Sequence, residues 1–190
     1  MKTALIIPSV YEYNLIEKDI LESFDYVRLA GMGKVNSIIA TSELIYLNGV
    51  DHVLLFGFAG GIRNLSLGQI IEPSLFIEGD YEDPVRHEVN ELRLQPSKLL
   101  HYSTDSAIIT QDHFLTSNPY TFAYPTLATD MESYALARLC QVTHTTFNCV
   151  KIISDLVGEE SLSFDRITKK FGAALNLTLN EISDHLCELK

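Results

Sequence analysis

Tryptophan is absent, cysteine occurs three times, and 14 lysines and arginines stand against 25 aspartates and glutamates. Each shortage excludes something. A formal net charge of -11 leaves little positive surface to displace counterions from a phosphate backbone, so no nucleic-acid partner is expected. Cys140, Cys149 and Cys187 are an odd set without the spacing of a zinc site, and Cys140 and Cys149 sit in apolar or strand-like segments. They read as reduced, structural thiols. The longest apolar stretch, Val53 to Ile62, is broken by Gly57, Gly60 and Gly61 and falls well short of the roughly 18 residues that cross a bilayer. No membrane partner is expected. Met1 to Ile7 runs into Pro8 and Glu12 without a small-residue cleavage site, so it reads as a first strand of a cytoplasmic protein rather than as a leader. Gly31-x-Gly33 lacks the third small residue of a dinucleotide fingerprint, no GxxxxGKS or GxxxxGKT phosphate loop occurs, and the six histidines show no HExxH spacing. Neither a cofactor nor a metal is expected.

What is present is an apolar content of 46% over 190 residues, enough for one core and a single domain over 1–190. Short apolar runs alternate with amphipathic segments, which predicts an α/β fold, a mixed sheet flanked by helices. Strands are expected at Thr3 to Ile7, Tyr26 to Ala30, His52 to Phe58, Gln69 to Ile77, Ala107 to Thr110, Thr126 to Asp130 and Phe147 to Ser154. Helices are expected at Tyr11 to Leu21, Lys34 to Leu47 with Asn48-Gly49 as its stop, and Met131 to Gln141. A last helix begins after Ser163 as N-cap, with Asp165 in its first turn and Ile167, Phe171, Leu175, Leu179, Ile182 and Leu186 in one stripe.

Ligands of open α/β sheets bind beyond the carboxyl ends of strands. Four places qualify: Glu12, the turn Gly57 to Gly61, Asp130-Met131-Glu132, and Ser154-Asp155. Each has an ordinary explanation as well. Glu12 and Glu132 suit a helix's first turn, Asp155 suits a turn or N-cap, and the glycines suit a tight turn. Parallel strands, however, end on one side of a sheet, which would bring the three acids to one pocket.

Taken in order along nearly the whole chain, Glu12, GMGKVNS (Gly31 to Ser37), FGFAGGI (Phe56 to Ile62), ITQDHFL (Ile109 to Leu115), TDMESYALA (Thr129 to Ala137), IISD (Ile152 to Asp155) and LSFD (Leu162 to Asp165) form one pattern. It resembles the purine nucleoside phosphorylase and nucleosidase superfamily, and most closely the 5'-methylthioadenosine/S-adenosylhomocysteine nucleosidases. The stretches Pro8 to Glu12 and Gly33 to Asn36 also look like futalosine hydrolases. The resemblance implies a nucleoside phosphorylase-like fold, a small purine nucleoside as partner, a homodimer and no cofactor. It implies catalytic roles for Glu12, which activates water, and Asp155, which protonates the purine at N7. Glu132 would bind the ribose hydroxyls, Met131 would pack on the sugar, and main-chain groups of Phe114 and Leu115 would hold the base. Ser154 would support Asp155, Phe164 would stack near the base, and Phe58 and Gly60 would belong to the substrate site.

The chemistry agrees with these residue types. Cleaving the C1'–N9 bond builds cation on the sugar and anion on the purine, so one acid, one base and an ionised carboxylate near the sugar are what the reaction needs. Two positions depart from the nucleosidase pattern: Phe58 stands where those enzymes carry serine, and Lys151 where they carry arginine. Pro8 to Glu12 holds no arginine to grip phosphate, which favours water over phosphate as nucleophile. Phosphorolysis and a nucleoside-binding homologue with impaired catalysis are the alternatives.

Overall fold

A computed structural model of the chain describes residues 1–82, 90–94, 99, 106–117, 124–159 and 164–188, the side chains of 164, 165 and 168 excepted. Its elements are β1 (Thr3–Ile7), α1 (Val10–Tyr13), α2 (Lys18–Leu21), β2 (Tyr26–Leu29), α3 (Lys34–Asn48), β3 (His52–Arg63), β4 (Ile70–Ile71) and β5 (Leu75–Glu78). There follow β6 (Asn90–Arg93), β7 (Ala107–Thr110), β8 (Leu127–Asp130), α4 (Ser133–Thr143), β9 (Thr146–Leu156) and α5 (Phe164–Glu188).

The sheet is organised on β3. Along one edge β9 runs parallel to it, from His52 opposite Thr146 to Gly61 opposite Leu156. The other edge is shared. β1 pairs parallel with its first part, Thr3 opposite His52 to Ile6 opposite Leu55, and β8 pairs antiparallel with its last part, Gly60 opposite Thr129 to Arg63 opposite Leu127. Beyond β1 lies β2, beyond β8 lie β7, β5 and β6, and β4 lies beyond β9. The sheet is therefore mixed and flanked by helices. Glu12 and Asp155 come together from the carboxyl ends of β1 and β9, both parallel to β3, as expected. Glu132 arrives instead from β8, which runs toward β1 along the other edge of β3 and leaves residues 56–59 between them.

Side-chain alternation along the strands feeds a core on each face. Ala4, Ile6, Val53, Leu55, Cys149 and Ile153 pack with Leu44 of α3 and Leu136 and Cys140 of α4. Leu5, Ile7, Leu54, Phe56, Val150 and Ile152 pack on the opposite face with Ile16, Ile20 and the α5 stripe Leu175, Leu179, Ile182 and Leu186. Each buried valine, leucine, isoleucine or phenylalanine among these contributes roughly 1.5–3 kcal/mol by leaving water. Among the described residues no helix is long and apolar enough to cross a membrane.

The structure corrects several expected boundaries. The helix expected over Tyr11 to Leu21 is two short ones, because Asn176 of α5 satisfies the interrupted backbone, accepting from Glu17 N at 2.9 Å and donating to Leu15 O at 2.8 Å. The strand expected over Gln69 to Ile77 breaks into β4 and β5 around Pro73, which has no N–H for a ladder. Gly57, Gly60 and Gly61 do not form a tight turn but lie within β3. The helix expected from Met131 starts at Ser133. Asp155 is neither turn nor cap but part of β9. The N-cap expected at Ser163 lies outside the described residues, as does the Asp165 side chain.

Candidate active site

A cavity of about 610 Å³ opens where β1 and β8 face each other, and its walls include Glu12, Phe58, Gly60, Phe114, Leu115, Met131, Glu132, Ser154 and Asp155. These are the site residues expected from the sequence, except that the side chain of Phe164 lies outside the described residues. The volume suits a ligand of nucleoside size.

Glu12 is held by its own helix start. Ser9 caps α1, and Glu12 at the third helical position completes a reciprocal capping box, so the ordinary reading of this residue is true as well. Its Oε2 accepts from Ser9 N at 2.9 Å and Ser9 Oγ at 2.7 Å. Its Oε1 accepts from Phe58 N at 2.7 Å, in the open stretch of β3. The carboxylate thus takes the place of a missing strand partner. It approaches β3 so closely that a Cβ on Gly57 would overlap Oε1.

Asp155 is aimed by a bulge. The register of β9 against β3 slips between Ala59 and Gly60: Ala59 faces Ile153 and Gly60 faces Asp155. Ser154 is the extra residue, and the bulge turns both Ser154 and Asp155 to the cavity where plain alternation would send them to opposite faces. Ser154 Oγ donates to Asp155 Oδ1 at 2.7 Å, and the absent side chain of Gly60 leaves room 3.4 Å from Asp155 Oδ2.

Glu132 stands at the N-cap position of α4 but does not cap it. That work falls to Asp130, which accepts from Ser133 N at 3.1 Å and from Ser133 Oγ. Glu132 Oε1 instead accepts from Gly33 N at 2.9 Å, tying β8 to the entry of α3. Burial, opposed by the Lys151 ammonium, raises the Glu132 carboxyl to about 7, with Asp130 and Glu12 adding to the rise.

Several contributors are not among the site residues expected from the sequence. Lys151 is fully buried, its Nζ 3.0 Å from Asp130 Oδ2 and 3.8 Å from Glu132 Oε2. A lone cation inside the apolar run Phe147 to Ile153 is the signal that marks it. Ser9, Thr129, Asp112 and Ile167 also line the cavity, and the spacing Ser9-x-x-Glu12 spells the capping box. Asp112 Oδ1 accepts from Lys34 N at 2.8 Å, fastening the segment that carries Phe114 and Leu115 to the start of α3. Three carboxyl groups in separate environments on one cavity can divide the roles of acid, base and cation stabiliser.

No family profile matches the chain. Over 175 residues it is 30% identical to the 5'-methylthioadenosine/S-adenosylhomocysteine nucleosidase of Bacillus pumilus, spanning 78% of this chain and 75% of that one. Among solved structures, the futalosine hydrolase of Helicobacter pylori is similar in fold, with a TM-score of 0.80, 19% identity and 97% of each chain covered. The 5'-methylthioadenosine/S-adenosylhomocysteine nucleosidase of Campylobacter jejuni is similar as well, with a TM-score of 0.77, 18% identity and all of both chains covered.

Proposed function

The chain belongs to the 5'-methylthioadenosine/S-adenosylhomocysteine nucleosidase family, and from that premise we propose that it hydrolyses the N-glycosidic bond of an adenine nucleoside, releasing free base and sugar. The observation that carries the reading is the meeting of Glu12, Glu132 and Asp155 on one cavity. Methylthioadenosine, S-adenosylhomocysteine and aminofutalosine are the candidate substrates.

Asp155 gives its proton to N7 of the departing purine, which leaves as a neutral base with the C1'–N9 electron pair. Ser154, hydrogen-bonded to Asp155 Oδ1, orients that carboxyl. Glu132 grips the ribose hydroxyls and sets negative charge beside the oxocarbenium-like sugar. Glu12 takes a proton from the water that adds to C1'. The three donors on Glu12 fix its orientation before substrate arrives, which lowers the reorganisation left for the reaction itself. Met131 packs against the sugar, and main-chain groups of Phe114 and Leu115 hold the base edge. Phe58, whose ring lies 6.4 Å from that of Phe171, closes the apolar side.

The protein works as a cytoplasmic homodimer in this reading. Support for the dimer comes from α3, which turns Ser37, Thr41 and Leu44 inward and leaves Val35, Ile38, Ile39, Tyr46 and Leu47 exposed, apolar side chains of the kind a second copy would cover.

The test is direct. The pure protein is incubated with each of the three nucleosides, with and without phosphate, and free adenine is followed by chromatography. Base release independent of phosphate is expected; release from none of them overturns the reading, and dependence on phosphate turns it to phosphorolysis.

A further inference from the structure

Behind the cavity wall, an ammonium group lies between two carboxylates. Lys151 projects from β9 toward the start of α4, wholly out of water, with Asp130 Oδ2 at 3.0 Å and Glu132 Oε2 at 3.8 Å. Asp130 is locked from its other sides, accepting from Thr110 Oγ1 at 2.7 Å and from the main chain and hydroxyl of Ser133. Glu132 has one oxygen on Gly33 N. Asp130 and Glu132 line the cavity and Lys151 does not, so the lysine reaches substrate only through its neighbours.

We propose that Lys151 is a positioning residue that keeps Glu132 charged for its grip on the ribose and so sets the acid limit of turnover. The proposal rests on the nucleosidase reading for its consequence, though not for the array itself. Groups facing Glu132 come from four elements: Lys151 of β9, Asp130 of β8, Glu12 of α1 and the Gly33 N–H ahead of α3. Cys149, on the same face of β9 and 3.2 Å from Ser133 Oγ, faces Lys151 as well. Only Lys151 brings a full positive charge. Burial and the two acids all favour neutral Glu132, and the ammonium is the strongest opposing influence. Lys151 itself stays protonated: burial works against its charge, but Asp130 and Glu132 override it and hold the group above its ordinary range.

The experiment follows Glu132 directly. Protein labelled with carboxyl-13C glutamate is titrated by NMR, with Glu132→Gln assigning the resonance, in wild type, Lys151→Arg, Lys151→Met and the double variant Asp130→Asn with Lys151→Met. The double variant removes both buried charges together and serves where Lys151→Met alone fails to fold. Lys151→Met and the double variant should both move the Glu132 midpoint upward, the double variant by less because it also removes Asp130. Lys151→Arg should leave it near wild type. On the acid limb, kcat/KM falls about tenfold for every tenfold loss of the ionised carboxylate, so Lys151→Met should lose about tenfold or more at pH 6 and recover toward pH 9. A midpoint unmoved in both Lys151→Met and the double variant overturns the proposal. If wild type releases no base while the midpoint still moves, the charge array stands and the nucleosidase reading falls; if wild type releases base and the midpoint stays put, the nucleosidase reading stands and the charge array falls.

Discussion

Glu12 Oε1 accepts the main-chain N–H of Phe58 at 2.7 Å in the stretch of β3 that neither β1 nor β8 covers. A side chain of α1 therefore completes the sheet where the cavity opens, and the same oxygen forbids a Cβ at Gly57. Glu12→Gln places an amide among three donors and removes the base. Base release should fall by about 10²-fold or more with the fold retained by circular dichroism. Gly57→Ala should lower the rate as well without replacing any ionisable group, since the added methyl displaces the Glu12 carboxylate. Wild-type turnover in Glu12→Gln would remove this residue from the mechanism.

Asp155→Asn keeps the shape of the bulge and the Ser154 contact but cannot deliver a proton to N7. Turnover should drop by about 10²- to 10⁴-fold, the span typical of general acid help, while thermal stability stays close to wild type because Asp155 is partly exposed on the cavity wall. A substrate analogue with a better leaving group should recover much of the loss. Equal losses on both substrates would speak for a binding role instead.

Much of this site could be read from the sequence because its parts are local. The apolar runs mark the strands, with β4 and β5 read as one and β6 missed because its NELR carries a single apolar residue; Asn48-Gly49 marks the end of α3, where Gly49 adopts the left-handed conformation, and polar residues after strands mark the acids. What escaped depends on distant partners. Nothing near Gly57 says that a glutamate from α1 will lie against it, and nothing near Leu15 says that Asn176 will satisfy a broken helix. The bulge at Ser154 depends on the register of two strands separated by about half the chain. Lys151 is visible as an oddity, but its partners follow only from the direction of β8, antiparallel to β3, which a mixed sheet allows and no local pattern specifies.

The raised Glu132 carboxyl makes stability depend on pH. Burial lifts it from 4.5 to about 7 against the pull of Lys151, so between those values the folded protein holds a proton that the unfolded chain releases. The associated stability is fully present below about 4.5 and is lost as pH rises through about 7. Lys151 keeps its charge across this window and adds no slope. The difference in melting temperature between wild type and Glu132→Gln, measured by scanning calorimetry in the absence of ligand, should therefore change in wild type's disfavour from pH 5 to pH 8. A difference that does not vary with pH would count against the buried state of this carboxyl.

The outer face of α3 bears on assembly. Leu47 is 77% exposed, Tyr46 70% and Ile39 63%, while α3 turns Ser37, Thr41 and Leu44 inward. Exposed apolar side chains so placed on one helix gain roughly 25 cal/mol for each Å² covered by a second copy, whereas a charge buried there without a partner is strongly unfavourable. Ile39→Asp combined with Leu47→Asp should convert a dimer into a folded monomer in sedimentation velocity, with an unchanged circular dichroism spectrum, because neither side chain belongs to the core. A wild-type protein that sediments as a monomer at every concentration would sink the dimer, and a double variant that remains dimeric would move the interface away from α3.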